Sequence, residues 1–230
     1  MTAEPPPSEL SRVRRNPSRA AYDIESVNAV LDAGALGHVG IVADGRPVVI
    51  PMLYGRDGDA LYLHGSVASR LLRHLGGGAP VCVEVTHVDA LVLARSAFHH
   101  SMNYRSAVVF GTSVKVDGDE AEHGLRVITE HLVPGRWDEV RPPNEVEMRQ
   151  TAVLRLDIAE ASAKARTHGV VDDDEDLELP VWAGLVPVLG GFGAPVPDPD
   201  LAPDTEVPAS VSALIGRVSV ASPGRVGGGR

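Results

Sequence analysis

The stretch Gly37 to Gly65, GHVGIVADGRPVVIPMLYGRDGDALYLHG, decides the fold. Three β-rich runs, GHVGIVA, VVIPMLYG and ALYLHG, are separated by Asp44-Gly45 and by Asp57-Gly58-Asp59. Asp-Gly pairs supply the left-handed residues of tight hairpin turns, so the stretch predicts an antiparallel meander. Upstream, Asp23 is placed to cap a short amphipathic helix striped by Ile24, Val27, Val30 and Leu31 and stopped by Gly34. Downstream, SVASRLLRHLGGG (66–78) predicts a helix opened by Ser66, with Leu71, Leu72 and Leu75 on one side and glycines at its end. PVCVEVTHV (80–88) and DALVLARSAF (89–98) are further β-rich or apolar runs, and NYRSAVVFGTSVKV (103–116) is a long strand whose Gly111 marks a bulge or bend. Asp117 with Glu120 predicts a capped helix striped by Ala121, Leu125, Ile128 and Leu132, and AVLRLDIAEASAKAR (152–166) reads as one more long strand.

Six or seven antiparallel strands with two to four short helices describe a mainly β (β+α) protein, and closure into a small barrel removes the exposed edges of such a sheet. A parallel dinucleotide-binding sheet is disfavoured, since helices do not alternate with the strands and no G-x-G-x-x-G follows the first one. Composition agrees with a globular chain: 230 residues, 43% hydrophobic and 23% charged, enough for a core without metal or disulfide staples. The single cysteine, Cys82, excludes a disulfide framework and a multi-cysteine metal site, and fits a reducing cytoplasm. The first 20 residues lack a signal-peptide apolar stretch and no apolar run is long enough to span a bilayer, so a cytoplasmic protein without membrane contact is expected. A net charge of −10 opposes general binding to nucleic acid.

Three regions are expected. Residues 1–20 form a basic, Pro-rich arm carrying Arg12, Arg14, Arg15 and Arg19, which drapes over the surface. Residues 21–170 form the barrel domain. Residues 171–230 begin with the acidic run Asp172, Asp173, Asp174, Glu175, Asp176 and Glu178, read as a solvated loop because it lacks the glycine and spaced ligands of a calcium loop. Eight of the 18 prolines and nine of the 24 glycines follow Leu179, yet PVWAGLVPVLGGF (180–192) is apolar enough to pack on the body or on a second subunit. The last ten or so residues are expected to be disordered.

The strongest chemical signal is LYLHGSVASRLLRHL (61–75). A strand delivers His64, Gly65-Ser66 turns the chain, and Ser66, Ser69 and Arg70 gather at a helix start, where free N–H groups, hydroxyls and a guanidinium suit a phosphate. The same residues also describe a serine cap with surface side chains. His64 is a candidate hydrogen-bond donor or proton carrier, or a satisfied barrel residue. His99-His100 resembles a metal pair, but neighbours on a strand point to opposite faces and no Cys or carboxylate is expected close by, so no metal site is expected. Trp137 reads as a core residue, and Trp182 either caps the core or stacks on a ring.

The order of helix, GHVGIV, DGRPVVIPMLY and LYLHGSVASR, together with ARSAFHHSMNYRSAVVFG and EHLVPGRW, resembles the pyridoxamine 5′-phosphate oxidase-like family of flavin-binding split β-barrels, in its nitroimidazole-resistance (Nim-like) branch. The resemblance runs from about Arg14 to Trp182. It implies a homodimer of six-stranded barrels with two flavins, FMN most commonly and FAD as the alternative, in clefts between subunits. It places the phosphate on Gly65, Ser66, Ser69 and Arg70, where a T-N-x-x-S-R-K-type turn is matched at Ser69 and Arg70. The flavin ring would lie along the backbone of Val49, Ile50, Pro51 and Met52, with His64 beside it as the catalytic candidate and Tyr104 and Arg105 near the dimer cleft. Arg105 equally suits a carboxylate partner. The founding oxidases carry an Arg and a Lys on the strand where Val49 and Tyr54 stand here, and no grip for pyridoxamine phosphate is evident. The function expected is therefore flavin-dependent reduction of a small planar molecule such as a nitroaromatic or quinone. The alternative is a flavin-, haem- or deazaflavin-binding protein without turnover.

Overall fold

The computed structural model describes residues 4–202, 204–216 and 218–219. The β+α split barrel expected from the sequence is the fold observed. The chain enters through β1 (Ala20–Ala21) and α1 (Ile24–Asp32), whose N-cap Asp23 accepts the Ser26 N–H at 2.8 Å. The meander follows as β2 (Leu36–Ala43), β3 (Arg46–Asp57) and β4 (Ala60–Ser66). Its turns are left-handed at Asp44 (φ 52°), Gly45 (φ 71°) and Gly58 (φ 53°), as the Asp-Gly chemistry requires.

Beyond the meander come α2 (Arg70–Gly76), β5 (Pro80–Leu93), β6 (Ser101–Thr112), β7 (Val114–Val116), α3 (Gly118–Leu132), α4 (Glu145–Gln150), β8 (Thr151–Asp157) and β9 (Glu160–Arg166). Among the described residues the main sheet runs β1-β9-β6-β5-β2-β3-β4-β8-β7, all antiparallel, and β10 (Gly184–Pro187) joins the edge of β5. Alternation along β4 sorts two cores. Leu61 and Leu63 face the barrel interior with Leu31, Val39, Tyr54, Val83, Val109 and Leu154, while Ala60 and Tyr62 face outward under Ala121 and Ile128 of α3.

Four details depart from the sequence reading. The helix after β4 starts at Arg70, capped by Ser69, not at Ser66; residues 66–69 form the turn that leads into it. The two runs at 80–98 join into one strand that ends at Leu93, interrupted only by a bulge between Val88 and Ala90. The run at 152–166 is two strands, β8 and β9, turned at Ile158, whose N–H bonds to Asp59 O at 2.8 Å. Asp117 occupies the N-cap position of α3, but its carboxylate takes Lys115 Nζ at 2.7 Å in place of a helix N–H.

The arm docks on β9: Ser8 hydrogen-bonds Glu160, and Lys164 Nζ donates to Arg15 O at 3.1 Å. Arg12 and Arg14 both pair with Glu9. The apolar stretch after Pro180 packs on the body through β10, and the chain then forms β11 (Gly190–Gly191), α5 (Ala209–Ser212) and β12 (Val218–Ser219), with β11 paired to β12. The disorder expected over the last ten residues lies outside the described residues. No helix of the described residues is long and apolar enough to cross a membrane.

Tyr54 shows how tightly α1 is tied to the barrel. Its ring is fully buried and its hydroxyl donates to Leu31 O at 2.5 Å, beside His87 on Val30 O and His131 on Gly34 O. Because Leu31 O also accepts backbone N–H groups, Tyr54→Phe is expected to cost about 1 kcal/mol in a urea melt, the net worth of one buried hydrogen bond.

Candidate functional site

β3 is paired to β2 over residues 46–53, from Ala43↔Arg46 to Leu36↔Leu53, but to β4 only from Tyr54↔Leu63 to Asp57↔Ala60. β4, in contrast, stays paired to β8 as far as Ser66↔Thr151. The barrel therefore parts beyond Tyr54. One lip is the unpaired edge of β3 over residues 46–53, which contains Val49, Ile50, Pro51 and Met52, and the other is His64, Gly65 and Ser66. The Tyr54 N–H points toward β2, to Ala35 O at 3.2 Å, so alternation aims the N–H groups of Leu53 and Val49 at the open edge. Pro51, which has no N–H, occupies the position between them, where a proline takes no bond out of the sheet.

The turn beyond His64 is built by its own backbone. Val67 N–H bonds to Gln150 O at 3.0 Å, Ser66 Oγ accepts the Ala68 N–H at 3.2 Å, and Ser69 Oγ accepts the Leu72 N–H at 3.4 Å. Ser66 and Arg70 are exposed, and Arg70 forms no ion pair among the described residues. The structure thus brings His64, Gly65, Ser66, Ser69 and Arg70 onto one turn beside the open edge of β3. It does not bring Tyr104 and Arg105 there within one chain, because β2 and β5 intervene. The Arg105 guanidinium lies on the Asp89 carboxylate at 3.1 Å, the carboxylate pairing that the sequence left open.

His64 shares the outward face of β4 with Ala60 and Tyr62, so it points away from the barrel interior. It enters a cavity of about 400 Å³ walled by Leu125, Ile128 and Thr129 of α3 and by Trp137, Arg141 and Glu147 of the segment that follows. Its Nδ1 is buried without a hydrogen-bond partner among the described residues, and burial holds its pKa below the usual imidazole value. Burial therefore favours the neutral form of the ring, which lines the cavity.

The far wall is tied together by hydrogen bonds. Arg141 grips Glu147 at 2.6 and 2.8 Å and holds its carboxyl down to about 2, helped by the Asn144 N–H. Asn144 and Glu147 form a full capping box for α4. Glu130 accepts the N–H groups of Gly135 at 2.6 Å and Trp137 at 2.8 Å, fixing the indole at the cavity mouth. Trp137 is thus a half-buried wall residue, and Trp182, 65% exposed, lies against Gly184 of β10 instead of capping the core. Sequence reasoning missed Arg141 and Glu147. The one local signal was the N-x-x-E spacing of Asn144 and Glu147, which announces a helix start but not what it faces.

The paired histidines part company. His100 Nδ1 donates to Ser96 O at 2.9 Å, whereas His99 Nε2 lies 3.1 Å from Asp173 Oδ2. A carboxylate does stand close to His99, contrary to the sequence reading, because the acidic run folds back onto it.

The family model described as pyridoxamine 5′-phosphate oxidase matches residues 23–165, the whole of the barrel with its cleft. The chain belongs to this family. Among solved structures of the family's fold, the flavocytochrome Anf3 from Azotobacter vinelandii is 39% identical, with a TM-score of 0.85, covering 92% of this chain and 99% of that one. An FAD and haem binding protein from Mycobacterium smegmatis is also 39% identical, with a TM-score of 0.84, covering 86% and 98%. Coverage of that size takes in the C-terminal extension as well as the barrel. A putative 5-nitroimidazole antibiotic resistance protein from Bacteroides thetaiotaomicron, 22% identical with a TM-score of 0.55 over 64% of this chain and 86% of that one, shares the fold. No curated protein matches the chain.

Proposed function

We propose that this member of the pyridoxamine 5′-phosphate oxidase family is a redox protein that binds a flavin in the parted barrel and a haem in the His64 cavity. The observation that carries the reading is the neutral, unpartnered His64 beside an open strand edge, in a chain 39% identical over most of its length to two proteins named for flavin or haem. FMN was the first expectation from the sequence. The relative from Mycobacterium smegmatis is named for FAD, so FAD is the flavin proposed in place of FMN or deazaflavin.

The residues fit these groups. Ser66, Ser69 and Arg70 offer hydroxyls and an unpaired guanidinium to a phosphate. The edge of β3 at Val49, Ile50, Pro51 and Met52 offers main-chain groups to a flat ring. His64 offers an imidazole nitrogen to iron, and a cavity of about 400 Å³ lies in the usual range for ligand sites, about 300–1,000 Å³. When bound, the flavin supplies one- or two-electron exchange and the haem one-electron exchange. The chain's part is to orient both, and to keep the imidazole unprotonated by burial.

The reading includes a homodimer. Val42 (64% exposed), Val49 (63% exposed), Leu36 and Leu53 lie on one outward face of β2 and β3, an apolar strip of the kind a second copy covers. A second copy would also bring its Tyr104 and Arg105 toward the cleft. Sedimentation is expected to give a dimer at micromolar concentration; a stable monomer would remove the shared-cleft part of the reading.

An absorption spectrum of the purified chain, or of chain reconstituted with FAD and haemin, tests the whole reading. Flavin bands together with a Soret band are expected, and a protein that stays colourless after reconstitution would overturn it. Reduction of a nitroaromatic or a quinone by the loaded protein tests the acceptor class. Arg70→Ala is expected to weaken flavin binding about tenfold or more, the worth of one charge-assisted hydrogen bond, in a fluorescence-quenching titration. Unchanged affinity would move the phosphate elsewhere.

A further inference from the structure

We infer that His99, Asp173 and Asp176 form a site for a divalent transition-metal ion of the zinc class, separate from the cleft and from the His64 cavity. The ion would tie the start of the C-terminal extension to the segment that leads into β6. His99 Nε2 and Asp173 Oδ2 are 3.1 Å apart, and Asp176 completes a set whose ligand atoms all lie within 4.8 Å of one another. Around tetrahedral zinc, with metal–ligand bonds near 2.1 Å, ligand atoms sit about 3.4 Å apart, so rotation of the Asp176 carboxylate closes the set.

Both halves are held before any ion arrives. His99 ends a short 3-10 turn, Ala97–His99, in which Ser96 Oγ accepts the Phe98 N–H and Ser96 O accepts the His99 N–H. The acidic run is anchored through Asp172, whose side chain is 1% exposed and accepts both the Arg95 N–H at 3.0 Å and the Arg95 guanidinium at 2.6 Å. The 3-10 turn Asp174–Asp176, closed by Asp176 N–H to Asp173 O at 3.0 Å, then sets Asp173 and Asp176 on one side.

Charge and donor chemistry choose the ion. Among the described residues, ion pairs in the run 172–178 are confined to Arg95–Asp172 and His99–Asp173, which leaves Asp174, Glu175, Asp176 and Glu178 uncompensated. One imidazole with two carboxylates is a zinc-type donor set that leaves a fourth position for water. Calcium and magnesium are disfavoured, since both prefer all-oxygen shells of six or more ligands.

The full-length chain, stripped with a chelator and titrated with zinc chloride against a chromophoric competitor, tests this. One ion per chain is expected with micromolar or tighter affinity, together with a zinc-dependent rise in melting temperature. His99→Ala, Asp173→Asn and Asp176→Asn should each weaken that binding about tenfold or more and abolish the rise in melting temperature, with the metal-free melting temperature unchanged. His100→Ala should bind like the parent, because its ring is committed to Ser96 O. Zinc binding that survives His99→Ala, or that falls equally in His100→Ala, would overturn the site, as would absence of binding at 100-fold excess over a micromolar chain. Calcium binding equal to zinc would overturn the assignment of the ion.

Discussion

His64→Ala is expected to remove the haem while leaving the flavin in place. On the proposed reading the His64 imidazole would hold the haem iron, and losing it should weaken haem binding about 100-fold or more, read as loss of the Soret band on dilution or gel filtration. The variant should fold. The imidazole it deletes has a buried Nδ1 with no partner among the described residues, an arrangement that costs stability in the parent. Exogenous imidazole supplies the decisive control: the truncated side chain leaves room in the cavity, so millimolar imidazole should restore the Soret band to the variant. Flavin bands that vanish along with the haem would mean that His64 holds both groups. A Soret band unchanged in the variant would assign the iron to another histidine and leave the cavity without its proposed occupant.

Gly55→Ala is expected to be the most destabilising single-methyl change in the barrel, costing about 3 kcal/mol. A Cβ on Gly55 would stand 2.7 Å from Ile128 Cα and N and 2.8 Å from Val127 C. Those are main-chain atoms in the middle of α3, which can yield only if the helix lifts off β3. Gly124→Ala makes a useful contrast. Its Cβ would meet Tyr62 Cδ1 at 2.7 Å and Val153 Cγ1 at 2.8 Å, but these are side-chain atoms, and alanine is worth about 1 kcal/mol over glycine inside a helix. Urea melts should therefore rank Gly55→Ala well below Gly124→Ala. A Gly55→Ala chain as stable as the parent would mean that α3 is not seated on β3 as closely as described. Since α3 also walls the His64 cavity, Gly55→Ala should loosen haem as well.

The meander was legible because its turns are chemical: Asp44-Gly45 and Gly58 need left-handed backbone, and few residues tolerate it. The break between β8 and β9 was not, because Asp157-Ile158-Ala159 contains neither glycine nor proline, and the turn is fixed by a bond to distant Asp59. The sequence divided 80–98 into two runs at Asp89; the structure has a bulge there, and Arg105 holds the carboxylate. His64 could be placed at a strand end but not on a face. Residues 60–63 carry no charged side chain on either face and all four are buried, so alternation along β4 gave no sign of which side was the barrel interior. Arg141 and Glu147 reach His64 only through tertiary folding of α3 and α4, and no local pattern carries that.

The pairing of β4 with β8 also sets a timetable for synthesis. β3 and β4 can pair as soon as both have left the ribosome, but the other edge of β4 must wait for partners such as Leu156, opposite Leu61 and 95 residues later in the chain. At translation rates of about 5–20 residues per second, that edge stays unmatched for roughly 5–20 s. During the interval Leu61 and Leu63, which later fill the barrel, sit on a nascent chain with an open strand edge, the arrangement most prone to pairing with a neighbouring chain. Conditions that slow elongation between α2 and β8 should therefore lower the soluble yield more than equal slowing after β9, where the barrel strands are already complete.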